Sequence, residues 1–349
     1  MTALAQQLPF DDEPESPPLL RTLYIAAHGT KLGLRGERFI VEPLDGKPRH
    51  VPFIQVDHIL LFGNIIVSPN VVHFCAEQNI PILYLSVQGK FRALMGGFDL
   101  AHTEHHCHQI LFSQDSEQWL PFARECVRAK IHNSAVVLAR YRRYHHHEEP
   151  SGRETFTRLA HKAGRSETLN RLLGYEGVAA RYYFDALQAL LPPEWSFSGR
   201  QRHPPVDPVN ALLSLGYSLL YGNLMSLLLA EGLHPGFGLL HQIRNGHAAL
   251  ASDLMEEFRA AIVDSLVLAC VLNGKITLDD FQTETDSPCR LQSEGMKRFL
   301  ALFEHKMNST LTHPVTGITL DYRRCILQQV KQFKALLYGS SSYQAFKIH

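Results

Sequence analysis

The chain has 349 residues, long enough for two ordinary domains, and its 45% hydrophobic and 19% charged residues are those of a globular protein with a sizeable core. Lys plus Arg and Asp plus Glu each total 34, so the formal net charge is zero. That balance argues against indiscriminate coating of nucleic acid, which rests on net positive surface, but leaves room for a local basic patch. Six cysteines (Cys75, Cys107, Cys126, Cys270, Cys289, Cys325) are scattered with no C-x-x-C pair, which argues against a disulfide framework and fits reduced thiols in a cytoplasmic protein. No basic start followed by an apolar run marks the N-terminus, so no signal peptide is expected.

In chain order, residues 1–20 are polar and proline-bearing (Asp11, Asp12, Glu13, Glu15, Pro17, Pro18) and read as a flexible tail. Residues 21–100 read as a β-rich domain. Thr22–Ala26, Arg38–Glu42 and Asn64–Val67 are β-branched or aromatic runs separated by Gly29, Gly33, Asp45-Gly46 and Gly63. Ser68-Pro69 opens a helix that ends near Asn79, and Pro81–Ser86 and Phe91–Met95 follow as strands around Gly89. Residues 101–349 turn helical. Glu117–Tyr144 and Ser166–Leu190 carry apolar residues at helical spacing. Asp207 and Pro208 then open an uncharged helix that Gly232 closes, and Ala248–Asn273, Ser293–Met307 and Leu320–Leu337 complete the set. The stretch Ala211–Ala230 has the length of a bilayer span, yet Ser214, Ser218, Gly222 and Ser226 form a small polar stripe, so a core helix is expected rather than a membrane segment. The expected fold is α+β and multidomain: a small, sandwich-like β-rich N-terminal domain and an all-helical C-terminal domain.

Three segments carry candidate chemistry. Glu176 is a carboxylate in an otherwise apolar helix, between Gly174 and Gly177, each of which costs helix stability on the order of 1 kcal/mol against alanine. Glycines kept at that cost let something approach the backbone closely; the plainer reading is a surface glutamate paired with Arg181. His241 ends the turn Pro235-Gly236-Phe237-Gly238, which can point an imidazole into a cleft, although a satisfied core histidine has the same pattern. Asp253 is followed one helical turn later by Glu256 and Glu257, like charges that need a cation such as Arg259 or a metal to offset them. An acidic first turn favoured by the helix dipole would look alike. Together the three supply two carboxylates and an imidazole, a workable divalent-metal set for phosphodiester chemistry.

Other clusters compete. His102, His105, His106, Cys107 and His108 lack the paired spacing of a structural zinc site, and with the run His145–His147 they read as exposed polar segments. Arg140, Arg142 and Arg143, Arg200 and Arg202, and Arg323, Arg324, Lys331 and Lys334 are basic groups that could track a phosphate backbone.

The sequence resembles a known family, the integrase of the CRISPR adaptation module called CRISPR-associated protein one. The resemblance runs from about Leu23 to Leu337. Its matching stretches include Ala129-Lys130-Ile131-His132-Asn133, Glu176-Gly177-Val178-Ala179-Ala180-Arg181-Tyr182-Tyr183, Asp207-Pro208-Val209-Asn210, Gly238-Leu239-Leu240-His241 and Asp253-Leu254-Met255-Glu256-Glu257-Phe258-Arg259. The resemblance implies a dimerising N-terminal domain and a catalytic C-terminal domain whose metal-binding and catalytic residues are Glu176, His241 and Asp253, with Mg²⁺ or Mn²⁺ as cofactor. Asn210, Tyr217, Arg181 and Glu257 match the family pattern as residues that orient the ligands, and Arg140, Arg143, Arg200, Arg202, Arg323 and Arg324 are candidate DNA contacts. The implied function joins the 3′-hydroxyl ends of protospacer DNA to the CRISPR repeat by transesterification, with cleavage of DNA, preferentially branched forms, as a second activity. The implied partners are double-stranded DNA, a second copy of the chain, and a small ferredoxin-like second adaptation protein, with no membrane involved. Alternatives are a catalytically silent DNA-junction or partner-binding scaffold, and a transposon-type integrase of the same superfamily.

Overall fold

The computed structural model describes residues 21–87, 89–96, 102–144, 152–201, 205–282 and 288–349. The expected tail at 1–20, the run His145–His147 and Arg202 lie outside the described residues.

Two four-stranded sheets make the N-terminal part. Strands β1 (Thr22–Ile25), β2 (Lys31–Arg35), β3 (Arg38–Glu42), β4 (Arg49–Pro52), β5 (His58–Phe62) and β6 (Ile66–Val67) precede helix α1 (Pro69–Glu77), and β7 (Ile82–Leu85) and β8 (Phe91–Met95) follow it. One sheet has the order β1-β5-β7-β8, parallel except for β8; the other runs β4-β3-β2-β6. Between them lies a core of Ile25, Leu32, Phe39, Ile59, Leu61, Val71 and Ile82.

Strand β5, His58-Ile59-Leu60-Leu61-Phe62, is buried at every position. Successive side chains of a strand point to opposite faces. Ile59 and Leu61 therefore enter the inter-sheet core, while Leu60 and Phe62 enter the larger core of the helical part. A strand buried on both faces reads as a continuous apolar run with no alternation, which is why period-two patterning passes over it.

The helical part contains α2 (Thr103–Gln114), α3 (Ser116–Tyr144), α4 (Arg153–Gly164), α5 (Leu169–Gln188), α6 (Pro208–Ala230) and α7 (Ala249–Met255). A π-helical turn at Arg259–Asp264 leads into α8 (Ser265–Leu272). Two small hairpins interrupt the helices: β9 (Phe281–Gln282) with β10 (Arg290–Leu291), and, after α9 (Ser293–Met307), β11 (Thr310–Thr312) with β12 (Thr319–Asp321). Helix α10 (Tyr322–Leu337) follows, and the chain ends in a segment without regular secondary structure. The single helix expected over 248–273 is thus two helices joined by the π-helical turn.

Asp207 caps α6, its carboxylate accepting from the Asn210 amide at 2.8 Å. The helix is long and apolar enough to cross a membrane, but most of its residues are buried inside the protein, the packing expected of a core helix. A Cβ at Gly222 would stand 3.2 Å from Leu60, so this glycine lets α6 lie close against β5.

Arg323 ties the two parts together and is only 1% exposed. Its guanidinium donates to Thr22 of β1 (3.1 Å), Asn223 of α6 (3.4 Å) and Asn308 (2.9 Å), and pairs with Glu304 of α9. Arg324 pairs with Asp321 at 2.8 Å across the first turn of α10. Arg323, expected as a DNA contact, is instead a buried link between β1 and the helices, and Arg324 braces a helix start.

Removing the buried cation strands Glu304 and three polar groups. Arg323→Met is expected to cost about 3 kcal/mol of stability, read as a clear fall in the thermal unfolding midpoint. An unchanged midpoint would count against the link.

Candidate active site

Asp253 is completely buried on α7 and organises the loop before it. Its Oδ2 accepts from the amides of Leu239 (2.5 Å) and Leu240 (3.0 Å), and its Oδ1 from the amide of His241 (2.8 Å) and from His241 Nδ1 (2.7 Å). A carboxylate has about four acceptor sites, so Asp253 is filled. Gly238 makes this possible: a Cβ there would meet backbone and side-chain atoms of Ala249 within 2.4–2.9 Å, so only glycine lets the loop lie flat on the start of α7.

With Asp253 accepting at Nδ1, the neutral form of the imidazole carries its proton on that nitrogen and leaves Nε2 a lone pair. His241 is 36% exposed, and its Nε2 stands 3.8 Å from Glu256 Oε1. The turn does deliver an imidazole to an open site, and the buried neighbour holds its tautomer.

Glu256, one turn beyond Asp253, is buried. Burial alone pushes its carboxyl up, but Arg259, Lys130 and His241 outweigh that and bring it down to about 2. Its Oε1 accepts from Arg259 at 2.7 Å. Its Oε2 has no aligned hydrogen bond and meets only the Lys130 ammonium, at 2.7 Å. The same ammonium of α3 pairs with Glu176 Oε1. Glu176 is thus paired with Lys130, not with Arg181, which lies exposed further along α5. A Cβ at Gly174 or Gly177 would meet nothing within 4 Å, so the face beside Glu176 is open for an outside group to approach.

Lys130 thus joins Glu176 to Glu256, whose other oxygen faces His241 Nε2 at 3.8 Å, while Asp253 is taken up by the loop. Among the described residues, no three His, Cys, Asp or Glu side chains close on one point as they stand. Lys130, bridging the two glutamates, holds that space.

Glu257 points the other way. Burial pushes its carboxyl up to about 7, opposed by hydrogen bonds from Tyr343, the Phe346 amide (2.6 Å), Cys126 (3.6 Å) and Gln329 (3.0 Å). Asn133 of α3 clamps the same C-terminal segment, donating to Phe346 O (2.9 Å) and Glu257 O (2.7 Å) and accepting from the Ile348 amide (2.9 Å). Glu257 thus anchors the C-terminal segment against α7 and α3.

A second buried network flanks the site. Asp264, in the π-helical turn, accepts from Tyr217 (2.5 Å) and Tyr183 (2.9 Å). The Tyr217 ring is contacted by the guanidinium groups of Arg259 (4.3 Å) and Arg200 (5.4 Å). Asn210, fully buried, holds Arg200 at 2.8 Å and the neighbouring Gln201 amide at 2.9 Å. Asn210 and Tyr217 thus position arginines. π-Helical turns recur at functional sites because they re-aim side chains, and here the turn begins at Arg259.

Arg200 and Arg259 also border a groove of about 910 Å³ that includes Lys90 and Arg92 of the β7–β8 hairpin and Arg290 of β10. Among the described residues, its lining has basic side chains and no carboxylate, a surface that favours anions. Arg140 is exposed and donates to the His349 carbonyl oxygen, and Arg143 is exposed near the end of α3; neither lines this groove. The histidines of α2 pack as rings: His102 stacks on His105 (5.2 Å), His105 Nδ1 meets the Tyr338 hydroxyl (2.5 Å), and His106 abuts His234 (5.7 Å).

Comparison with known proteins follows this geometry. The family described as "CRISPR associated protein Cas1" matches residues 23–305. A curated relative from Thermus thermophilus, CRISPR-associated endonuclease Cas1 3, is 36% identical over 301 residues, covering 85% of this chain and 87% of its own. Among solved structures, a Cas6-RT-Cas1–Cas2 complex superposes with a TM-score of 0.82 at 26% identity, over 97% of this chain and 37% of that one. A casposase bound to integration product gives a TM-score of 0.81 at 22% identity, over 93% and 92%, a likeness of fold.

Truncation after Ser342 removes the Tyr343 and Phe346 donors and leaves Glu257 buried with fewer partners. A loss of about 3 kcal/mol or more is expected, measured by thermal unfolding. A midpoint equal to that of the full chain would mean the C-terminal segment does not support the site.

Proposed function

The chain belongs to the Cas1 family, and from that premise we propose that it is a divalent-metal-dependent DNA integrase and endonuclease of CRISPR spacer acquisition. The carrying observation is the Lys130 ammonium held between Glu176 and Glu256, with His241 Nε2 3.8 Å from the other oxygen of Glu256, beside a basic groove. A buried carboxylate oxygen with only an ionic contact, a second carboxylate and a free imidazole lone pair form an oxygen-rich set with one nitrogen. That set fits Mg²⁺ or Mn²⁺. Glu176 and Glu256 are proposed to hold the ion through oxygen and His241 through Nε2. Asp253, filled by the loop, is proposed as the residue that fixes the His241 tautomer and ring plane rather than as a ligand. A bound ion supplies the charge that polarises a scissile phosphate and stabilises the displaced oxygen.

The chain's own residues do the rest. Lys90, Arg92, Arg200 and Arg290 line the groove where a DNA strand would lie and offset its phosphates, setting position rather than sequence. The Asp264–Tyr217–Arg259 network holds Arg259 against Glu256, keeping that carboxylate ionised at neutral pH. With the strand held in line, a 3′-hydroxyl attacks the repeat phosphodiester, one P–O bond forms as another breaks, and cleavage follows when water takes the hydroxyl's place.

The working unit is proposed as a cytoplasmic dimer joined to a small second adaptation protein on double-stranded DNA. Exposed Leu44, Ile54, Ile66 and Val87 on the β-rich part support a partnered surface, and the Cas1–Cas2 complex named above supports the assembly.

Strand transfer tests the assignment. A labelled duplex with 3′-hydroxyl ends is incubated with a repeat-bearing supercoiled plasmid, Mn²⁺ and the small partner protein. Glu176→Gln, His241→Ala and Glu256→Gln are each expected to lose joining by more than about 100-fold, and Asp253→Asn by about 10–100-fold, the range for a residue that orients a ligand. Joining by Glu256→Gln at the wild-type rate would remove it from the ligand set. Wild-type protein that binds DNA without joining it would favour a silent scaffold.

A further inference from the structure

We propose that Lys130 is the resident counter-cation of this site, and that a divalent ion enters by displacing its ammonium from between Glu176 and Glu256. The inference rests on the metal reading above and concerns what fills the site before the ion arrives.

Three observations carry it. The ammonium contacts Glu176 Oε1 and Glu256 Oε2 together, so it occupies the space between a carboxylate of α5 and one at the end of α7. The two oxygens of Glu256 are held differently: Oε1 has an aligned bond from Arg259, whereas Oε2 lacks one and has Lys130 alone. Displacing Lys130 therefore frees one oxygen on each glutamate while Arg259 keeps Glu256 in place. Beside the site lies a partly open cavity of about 60 Å³, lined by Lys130, Glu176, Tyr217, Arg200, Arg259 and Asp264 among others. That is room for a few water-sized groups next to the two glutamates.

The physical need is mutual exclusion. Without a cation, Glu176 and Glu256 repel each other in a partly buried site. With a metal in contact, an ammonium on the same oxygens is repelled by the ion's two charges. A lysine suits the exchange because its charge rides on a flexible four-carbon stem; an arginine would clamp both carboxylates through several donors and release them less readily. Lys130 is thus a positioning residue: it holds the ligands apart and charge-balanced until the ion takes over.

The test reads metal binding and stability, not joining. Full-length wild type, Lys130→Met and Lys130→Arg are titrated with Mn²⁺, with bound ion counted by electron paramagnetic resonance, and melted in chelator and in saturating Mn²⁺. Lys130→Met is expected to melt below wild type in chelator, to bind Mn²⁺ on the order of tenfold more tightly, and to gain more from the ion. Lys130→Arg is expected to bind Mn²⁺ several-fold more weakly than wild type. Equal or weaker binding by Lys130→Met would overturn the proposal, because a lysine that stays and helps gives the opposite sign. Should Lys130→Met fail to fold, Lys130→Arg decides, and unchanged affinity there overturns it. If wild type and both variants bind no Mn²⁺, the metal reading itself falls, an outcome distinct from equal binding by all three.

Discussion

Four carboxylates are buried between residues 253 and 264, and the helical part of the molecule is arranged to satisfy each of them separately. Asp253 is met by the loop that carries His241. Glu256 is met by Arg259 and Lys130, Glu257 by the C-terminal segment and Gln329, and Asp264 by Tyr217 and Tyr183. A buried charge without partners costs several kcal/mol, so each acid imposes a position on some distant stretch of chain. The helix that expectation ran unbroken through this region is instead interrupted by a π-helical turn, which changes the direction in which Arg259 and Asp264 face.

The four acids differ in what they leave available. Asp253 and Asp264 are held by aligned donors, and Glu257 is walled in by the tail. Only Glu256 keeps an oxygen bound by charge alone. Groups that are saturated with hydrogen bonds give a site its rigidity, whereas a buried oxygen lacking one is a place where something can be exchanged. That contrast separates the residue suited to hold an ion from the residue suited to hold the histidine, although they lie one turn apart on the same acidic stretch.

The β-rich part bears on the site through two contacts with the helices. Strand β5 divides its side chains between both cores, and Arg323 bridges β1, α6, α9 and α10. The β7–β8 hairpin itself packs on α6 through Phe91 against Tyr221, and its Lys90 and Arg92 line the basic groove with Arg200, Arg259 and Arg290. A chain of zero net charge thus presents a local cationic path beside an acidic cluster, the separation of signs that phosphate chemistry at a metal needs.

Much of this was written in the residues themselves. The β-rich start and helical remainder follow from patterning and the α6 cap from Asp207-Pro208, while a glycine-flanked acid and a Gly/Pro turn ending in an imidazole marked Glu176 and His241 as candidates. Order and spacing of matching stretches carried the family. Tertiary structure alone decided which acid of Asp253, Glu256 and Glu257 faces the cluster, because helical spacing puts all three within one turn and says nothing about which partners reach them. It also decided that Lys130, 46 residues from Glu176, closes the site, and that Arg323 is interior rather than a phosphate contact. Periodicity reports which face of a segment is apolar. The partner of a buried charge is set by the packing of segments far apart in the chain, and no local pattern records it.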